Sequence, residues 1–262
     1  GFIGRSLCEQ LVQAYGGRAS ITVPTRRLRH AQAIQGLPGL SVVRADVFDP
    51  VQLKTLLAGQ DIVVNLIAIL QGDEAAFERA HVQLPRLLIG AGVRRLIHVS
   101  ALGVGDSGTE APSRYLRSKA AGEAVLRAAA LELTVLRPSV VFGRDDRFLN
   151  LFARLQGVLP LLPLAGADAL FQPVWVEDVA GAIVRCVQAR SSIGQTFELA
   201  GPQVLRLGDI VRLAGRIAGH ARPILPLPGA LAWVQARLME LAPGEPLMSR
   251  DNLASLRVPN VA

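Results

Sequence analysis

The residue types best suited to chemistry in this chain are a phenol and an ammonium four positions apart, at Tyr115 and Lys119. The 262 residues include only two tyrosines and two lysines, so the pairing of one of each is informative. Side chains at positions i and i+4 lie on the same face of a helix. A fixed ammonium favours the ionised form of a nearby phenol, whose ordinary pKa is about 10. The pair is therefore predicted to move a proton to or from an alcohol or carbonyl oxygen.

A further candidate is Ser100, which ends a predicted buried strand. An α/β sheet places its ligand-binding groups at the carboxyl ends of its strands. A hydroxyl there can orient a substrate oxygen while Tyr115 transfers a proton and a cofactor carries hydride. Taken alone, Ser100 fits a loop or helix cap equally well. Because Tyr115 and Lys119 are also present, we favour a place for Ser100 at the cofactor site.

The first four residues, Gly1, Phe2, Ile3 and Gly4, form a glycine-containing turn that enters an apolar helix. In α/β proteins such a turn brings backbone N–H groups to a pyrophosphate. Two glycines at a helix start also serve plain helix–strand packing, so both interpretations stay open. The strand and glycine that usually precede this turn are absent. We therefore expect a natural protein that starts earlier and depends on that strand for stability.

The end of the strand predicted over 20–24 bears on cofactor choice. An acidic residue there accepts hydrogen bonds from a ribose 2′-hydroxyl. This chain has Thr25, Arg26 and Arg27 instead, and two guanidinium groups suit a 2′-phosphate. The sequence thus favours NADP(H) over NAD(H). The alternative is that both arginines simply face solvent, since the chain is rich in arginine.

Composition narrows the remaining function classes. The net charge is +7, but the arginines are dispersed and only 5% of residues are aromatic, so nucleic-acid binding is not expected. No segment approaches the roughly 18 consecutive apolar residues of a spanning helix. Cys8 and Cys186 fall in apolar helical patterns and are expected to be buried, reduced thiols. The four histidines are scattered, and no metal site is expected.

Strand and helix patterns alternate along the chain, which predicts an α/β fold with a Rossmann-type, doubly wound parallel sheet. The predicted helices span 2–15, 28–35, 50–57, 74–91 and 115–130, the strands span 20–24, 40–44, 61–69, 95–100 and 133–137, and a polar loop spans 103–113. Residues 1–145 are predicted to form the dinucleotide-binding domain. Residues 146–262 are predicted to form a smaller, mixed region that returns strands and helices to the sheet and covers the site.

These motifs together resemble the short-chain dehydrogenase/reductase superfamily, in its extended or atypical, epimerase/dehydratase-like branch. The matching pieces are Gly1-Phe2-Ile3-Gly4, Asp46-Val47, Asn65, His98-Val99-Ser100, Tyr115-x-x-x-Lys119, Arg137-Pro138-Ser139 and residues 172–180. Residues 113–123, 142–150 and 198–202 are similar to the NADPH-binding accessory subunits of respiratory complex I and their bacterial relatives.

The resemblance implies a role for each matching position. Gly1 to Gly4, including Phe2 and Ile3, would form the dinucleotide loop, Asp46 and Val47 would flank the adenine, and Asn65, Ala68, Pro138 and Ser139 would border the rest of the cofactor. Ser100 would bond the reacting oxygen and Tyr115 would exchange its proton. Lys119 would contact the nicotinamide ribose and lower the pKa of Tyr115.

Two function classes follow from the resemblance. The first is an NAD(P)-dependent oxidoreductase or epimerase that acts on a small or lipid-like alcohol or carbonyl. The second is a non-catalytic protein that holds NADPH and docks on a respiratory complex, and a role in quinone-related metabolism also stays open. A cytoplasmic location is expected, peripheral on the inner membrane, or in the mitochondrial matrix of a eukaryote.

Residues 228–241 are predicted to form a helix that Pro228 starts and Pro243 stops. Its apolar residues form one stripe at helical spacing: Leu231, Val234, Leu238 and Leu241, with Trp233 and Met239 beside it. One interpretation buries this stripe over the substrate region. The other places it on a membrane or a membrane-bound partner, with Arg237 facing anionic headgroups.

Overall fold

The computed structural model describes residues 1–105, 111–241 and 248–262. The α-helices are α1 (Phe2–Tyr15), α2 (Pro50–Leu57), α3 (Glu74–Glu78), α4 (Leu84–Gly90), α5 (Arg114–Arg127), α6 (Leu149–Val158), α7 (Val176–Gln188), α8 (Leu207–Ile217), α9 (Gly229–Leu241) and α10 (Arg250–Ser255). The strands are β1 (Ile21–Thr25), β2 (Leu40–Arg44), β3 (Val63–Asn65), β4 (Arg95–Val99), β5 (Glu132–Pro138), β6 (Val141–Phe142), β7 (Leu162–Ala165), β8 (Leu170–Phe171), β9 (Val174–Trp175), β10 (Thr196–Leu199), β11 (Leu205–Arg206) and β12 (Ile224–Leu227).

The main sheet is parallel and has the order β10-β5-β4-β3, while β1 and β2 form a separate parallel pair. All five residues of β4 are buried, because helices cover both faces of this strand. Successive side chains on a strand point to opposite faces, so Leu96 packs with α4 and α5 while Ile97 and Val99 pack with α1 and α7. The predicted α/β, Rossmann-type fold is confirmed.

The second half of the chain contributes to both the main sheet and a smaller layer. Strand β10 pairs with β5, and α7 packs against α1. A separate apolar cluster joins α6, α8 and the β7–β12 pair. The predicted domain boundary near residue 145 stays a prediction.

One predicted strand is much shorter than expected. The pattern predicted a buried strand over 61–69, whereas β3 has only three residues. After Asn65 the backbone leaves the ladder, because the N–H of Ile67 bonds the side chain of Asn65 and the N–H of Ile69 bonds His81. Side-chain acceptors thus replace the neighbouring strand, and residues 66–71 become a loop at the carboxyl edge of the sheet.

The helix predicted over 74–91 is interrupted. Helices α3 and α4 are joined by a π-helical turn, Arg79–Gln83. Such turns insert an extra residue into the helical ladder and are frequent at functional sites. The short helix predicted over 28–35 is a 3₁₀ helix, Leu28–Ile34. Pro243 and residues 106–110 of the predicted polar loop lie outside the described residues.

Candidate active site

The site is built on the carboxyl end of β4, where Ser100 follows the last strand residue. The backbone N–H of Ser100 donates to the carbonyl of Leu136 at 2.7 Å, which continues the pairing with β5. Its Oγ is buried, and no described residue hydrogen-bonds it. Since nearly all buried polar atoms have a partner, this hydroxyl fits a site whose partner is a bound molecule.

Lys119 fixes helix α5 against the same strand end. Ser113 caps the helix by accepting a hydrogen bond from the N–H of Leu116 at 3.2 Å. Two turns later the side chain of Lys119, only 2% exposed, donates from Nζ to the carbonyl of Val99 at 2.8 Å. Burial lowers the pKa of Lys119 to about 8, and the nearby Glu123 opposes that shift.

Tyr115 lies one turn before Lys119 on α5 and packs beside Ala101 and Val104. Burial raises the pKa of Tyr115 to about 12, and the lowering expected from Lys119 stays a prediction. Desolvation of the phenolate dominates, and the ammonium of Lys119 is bonded to the backbone of β4 instead. At neutral pH, Tyr115 is therefore a protonated phenol.

His81 is part of this site and was missed in the sequence. It lies in the π turn, is 2% exposed, and its ring contacts the ring of Tyr115 edge-on at 5.7 Å between centroids. A usable signal was present, because His81 follows the buried Phe77 by four residues and so falls on the buried helix face. A polar aromatic side chain at such a position needs internal hydrogen bonds.

Asn65 and His98 face each other across β3 and β4. The amide of Asn65 donates to Nδ1 of His98 at 3.1 Å and accepts from the N–H of Ile67 at 3.1 Å. Both ends of the amide are thus engaged within the protein, so Asn65 shapes the loop at residues 66–71. Burial holds the pKa of His98 well below its usual range. His98 is a structural residue in this arrangement.

The other predicted cofactor residues on this edge differ in their surroundings. Ala68 is exposed in the loop after β3. Pro138 and Ser139 are buried at the end of β5, and the hydroxyl of Ser139 bonds the side chain of Asn260 at 2.6 Å. Ser139 is therefore tied to the end of the described chain.

The start of α1 has the features of an anion site. Gly1 occupies the N-cap position without a side-chain cap, and the first turn carries no acidic residue. The first N–H groups of the 14-residue helix are therefore free of side-chain acceptors. Gly4 faces the loop after β3, where an added Cβ would stand 3.4 Å from the side chain of Leu66. These features fit a pyrophosphate at this edge of the sheet.

Two exposed arginines follow β1. Thr25 bonds the backbone of Arg27 on both sides, accepting from its N–H at 3.2 Å and donating to its carbonyl at 3.1 Å. Within the described part of the chain, neither Arg26 nor Arg27 pairs with a carboxylate. On the neighbouring strand end, Asp46 accepts the N–H of Phe48 at 3.0 Å, and Val47 packs into the core. Both guanidinium groups are thus available to a ligand phosphate.

Comparison with known proteins decides the family. The family model described as NAD(P)H-binding matches residues 1–151. The chain belongs to this NAD(P)H-binding family. It is 31% identical over 275 residues to the mouse protein "NADH dehydrogenase (ubiquinone) 1 alpha subcomplex subunit 9, mitochondrial", covering all of this chain and 70% of the mouse protein. The predicted resemblance to the complex I accessory subunits is thereby confirmed.

Other relatives of this NAD(P)H-binding protein are enzymes by name. A ceramide reductase of Caulobacter vibrioides is 30% identical over 237 residues, covering 87% of this chain and 71% of that protein. Among solved structures, a Staphylococcus aureus nucleoside-diphosphate-sugar epimerase superposes with a TM-score of 0.75 at 14% identity, covering 99% of this chain and 86% of that one. This last likeness supports the fold alone.

Two negative findings, on metal ligands and on membrane-spanning helices, apply only to the described residues. No cluster of three potential metal ligands occurs there. None of the described helices has the length and apolar character needed to cross a bilayer. Cys8 and Cys186 are free and buried, as predicted.

Helix α9 carries its apolar stripe on the outside. Leu231, Val234, Leu238 and Leu241, called here the α9 stripe, are 48–66% exposed. The helix is held instead by Ala232 and Ala236, which are buried on its opposite face. Trp233 beside the stripe is also exposed and lies under the guanidinium of Arg250 at 5.5 Å. The interpretation that buried this stripe over the substrate region is therefore wrong.

Proposed function

We propose that this protein is an NADP(H)-dependent reductase of a carbonyl compound. The observation that carries the proposal is the buried, unpartnered hydroxyl of Ser100 beside a helix whose Lys119 is anchored to β4. A hydroxyl in that position hydrogen-bonds the oxygen of a ketone or aldehyde. Tyr115, on the same helix face as Lys119, is the proton donor.

The protonation state of Tyr115 favours the reductive direction. Burial keeps its phenol protonated, with a pKa of about 12, so it can give a proton to a developing alkoxide. When bound at this edge of the sheet, NADP(H) would supply hydride to the carbonyl carbon, which would give an alcohol and the oxidised cofactor. The ammonium of Lys119 then stabilises the phenolate left on Tyr115 until a proton from water restores the phenol.

NADP(H) is the preferred cofactor in this proposal. Arg26 and Arg27 stand at the end of β1 without carboxylate partners in the described chain, and a 2′-phosphate would satisfy them with charge-assisted hydrogen bonds. NAD(H), which lacks that phosphate, would leave both groups in solvent.

The substrate class in this proposal is a lipid-like ketone. The named reductase among the relatives, the ceramide reductase, acts on a lipid by its name. The exposed apolar side chains on α9 would keep the protein near such a substrate.

The test is NADPH oxidation by the full-length protein across a panel of long-chain and short-chain ketones and aldehydes. We expect turnover with at least one long-chain ketone, and loss of that turnover in Ser100→Ala. Tight NADPH binding without turnover on any member of the panel would refute the reductase assignment. That result would leave a protein that holds NADPH without turnover as the remaining function.

The second candidate is a protein that holds NADPH and docks on a membrane respiratory complex. Homology to the mouse subunit favours it, because that protein is named as part of a NADH dehydrogenase. The α9 stripe favours a peripheral contact, and its proposed occupant is an anionic bilayer surface. Trp233 and Arg237 flank the stripe and suit the headgroup region, as does the net charge of +7. Co-purification with a membrane complex would support this function over free turnover.

A further inference from the structure

A chain of hydrogen bonds runs from the loop after β3 to helix α5, and His81 is its centre. The backbone N–H of Ile69 donates to Nε2 of His81 at 3.1 Å. On the other side of the ring, Nδ1 lies 2.7 Å from the hydroxyl of Ser118. That hydroxyl donates to the carbonyl of Tyr115 at 2.8 Å. Three separate elements are thus joined through one imidazole.

The directions of these bonds fix the tautomer. A backbone N–H can only donate, so Nε2 of His81 must carry a lone pair. Since the single hydrogen of the Ser118 hydroxyl is used on Tyr115, this oxygen accepts from Nδ1–H. His81 is therefore a neutral imidazole with its proton on Nδ1. Burial and the charge of Lys119 lower the pKa of His81 to about 3, which agrees with the neutral form.

Packing around His81 reinforces the connection. Its ring contacts those of Phe77 and Tyr115, at 5.6 Å and 5.7 Å between centroids, and these two rings also meet each other at 6.4 Å. Helix α5 passes so close to the π turn that a Cβ at Gly122 would collide with the carbonyl of His81. The turn and the helix are therefore in direct backbone contact, and the imidazole fills the space between them.

We propose that His81 is a positioning residue, which holds Tyr115 in register with the loop at residues 66–71 through Ser118. The inference rests on the proposed function, since it assigns His81 to the proton donor of that reaction. The loop borders the start of α1 at Gly4, on the cofactor side of the sheet. Through His81, the position of this loop is transmitted to the phenol.

The test uses the fact that the chain has only two tyrosines. In a Tyr15→Phe background, 3,5-difluorotyrosine labels Tyr115, whose fluorine signal is assigned by its loss in Tyr115→Phe, and the greater acidity of the label brings the titration into a pH range that the fold tolerates. Fluorine NMR then gives the titration midpoint of Tyr115 without cofactor or substrate. The variants are His81→Phe, His81→Gln, Ser118→Ala and the double variant that combines His81→Phe with Ser118→Ala. Phe77→Leu is the packing control.

We expect His81→Phe to lower the midpoint by about one pH unit, because a loosened helix start admits water to the phenol. Ser118→Ala should also lower the Tyr115 midpoint, and the double variant should lower it little further than His81→Phe alone. His81→Gln, which can still donate and accept, should restore most of the wild-type value. NADPH affinity should fall about tenfold in His81→Phe and stay within threefold in His81→Gln.

Two results would overturn the proposal. One is an unchanged Tyr115 midpoint in folded His81→Phe. The other is a shift that Phe77→Leu reproduces and His81→Gln does not rescue, since that pattern belongs to packing alone. The fluorine titration needs neither cofactor nor substrate. A failure of NADPH binding in the wild type would therefore refute the proposed function while still leaving the role of His81 measurable.

Discussion

The carboxyl edge of β4 and the helix α9 depart from ordinary burial in opposite directions. At the first, Lys119 and His81 are each only 2% exposed although both are polar. At the second, Leu238 and Leu241 are 63% and 66% exposed although both are apolar. A buried polar group costs free energy unless it is bonded, and an exposed apolar stripe marks a contact surface. We therefore propose that the first region recognises a polar ligand and the second an apolar surface.

The two regions also differ in what holds them in place. The edge of β4 is tied together by bonds between β3, the π turn, β4 and α5. Helix α9 rests on two buried alanines and the neighbouring α10. Substitutions at the first region therefore risk the fold, whereas substitutions on the α9 stripe leave it intact.

The largest effect is expected at Tyr115. Tyr115→Phe keeps the ring and its contacts with His81 but removes the transferable proton, so kcat should fall by about 10²-fold or more. NADPH binding by calorimetry should change little. Tyr15→Phe, at the end of α1, is the matched control and should keep wild-type turnover. Equal kcat for the Tyr115 variant and wild type would remove Tyr115 from the chemistry.

The next effect concerns cofactor choice. Arg26→Glu with Arg27→Glu replaces charge-assisted bonds to a 2′-phosphate by repulsion, so NADPH affinity should fall about 10- to 100-fold. NADH affinity should change by less than about threefold, since NADH has no phosphate there. Arg18→Glu with Arg216→Glu changes the net charge equally and should leave both affinities alone. Equal losses for the two cofactors in calorimetry would contradict the assignment.

A smaller effect is expected at α9. Trp233→Glu with Arg237→Glu should weaken co-sedimentation with anionic vesicles by about tenfold, while the α9 stripe itself stays unchanged. Arg216→Glu with Ile217→Glu on α8 removes the same charge and one exposed apolar side chain, and should bind like wild type. Wild type and the α8 variant should both bind neutral phosphatidylcholine vesicles less well than anionic vesicles. If wild type sediments with neither vesicle but stays with a membrane complex, the partner is a protein.

The smallest effect is on acid stability. The pKa of His81 is about 3 in the folded protein against an ordinary 6.5, so below pH 6.5 the unfolded chain binds a proton that the folded chain excludes. Stability should therefore fall as pH drops from 6.5 towards 3, by about 1 kcal/mol between pH 7 and pH 5.5.

Urea unfolding at those two pH values checks this effect. His81→Phe should lose less stability than wild type over the interval, whatever its stability at pH 7. His30→Phe, at an exposed position, should follow wild type. An identical pH dependence in wild type and His81→Phe would mean that the pKa of His81 is the same in the folded and unfolded states.

Local patterns predicted the elements that depend on local physics. The stripe of α1, the Pro50 start of α2 and the apolar run of β4 are strong signals, and these elements agree with the structure to within a residue. The strand over 61–69 was overestimated because its apolar run continues past Asn65. Only the structure shows that Asn65 and His81 take the backbone N–H groups beyond that point.

The sequence predicted only part of the site, because the rest depends on contacts between elements that are distant in the sequence. Spacing placed Tyr115 and Lys119 on one helix, but the pKa of Tyr115 depends on burial against other elements, which raises it. His81 bonds Ser118 of α5, which lies 37 residues away in the sequence, and no local pattern predicts that contact. The exposure of the α9 stripe likewise depends on what the rest of the chain leaves uncovered.

We propose that the β4 edge and the β1 end together hold NADP(H). The most direct test of this proposal is mass spectrometry of the nucleotide carried by the full-length protein, purified from its native source, followed by calorimetric titration of the stripped protein. We expect NADP(H) in the native protein and tighter binding of NADPH than of NADH. Native protein without any nicotinamide dinucleotide, together with no uptake of NADPH after stripping, would contradict this proposal.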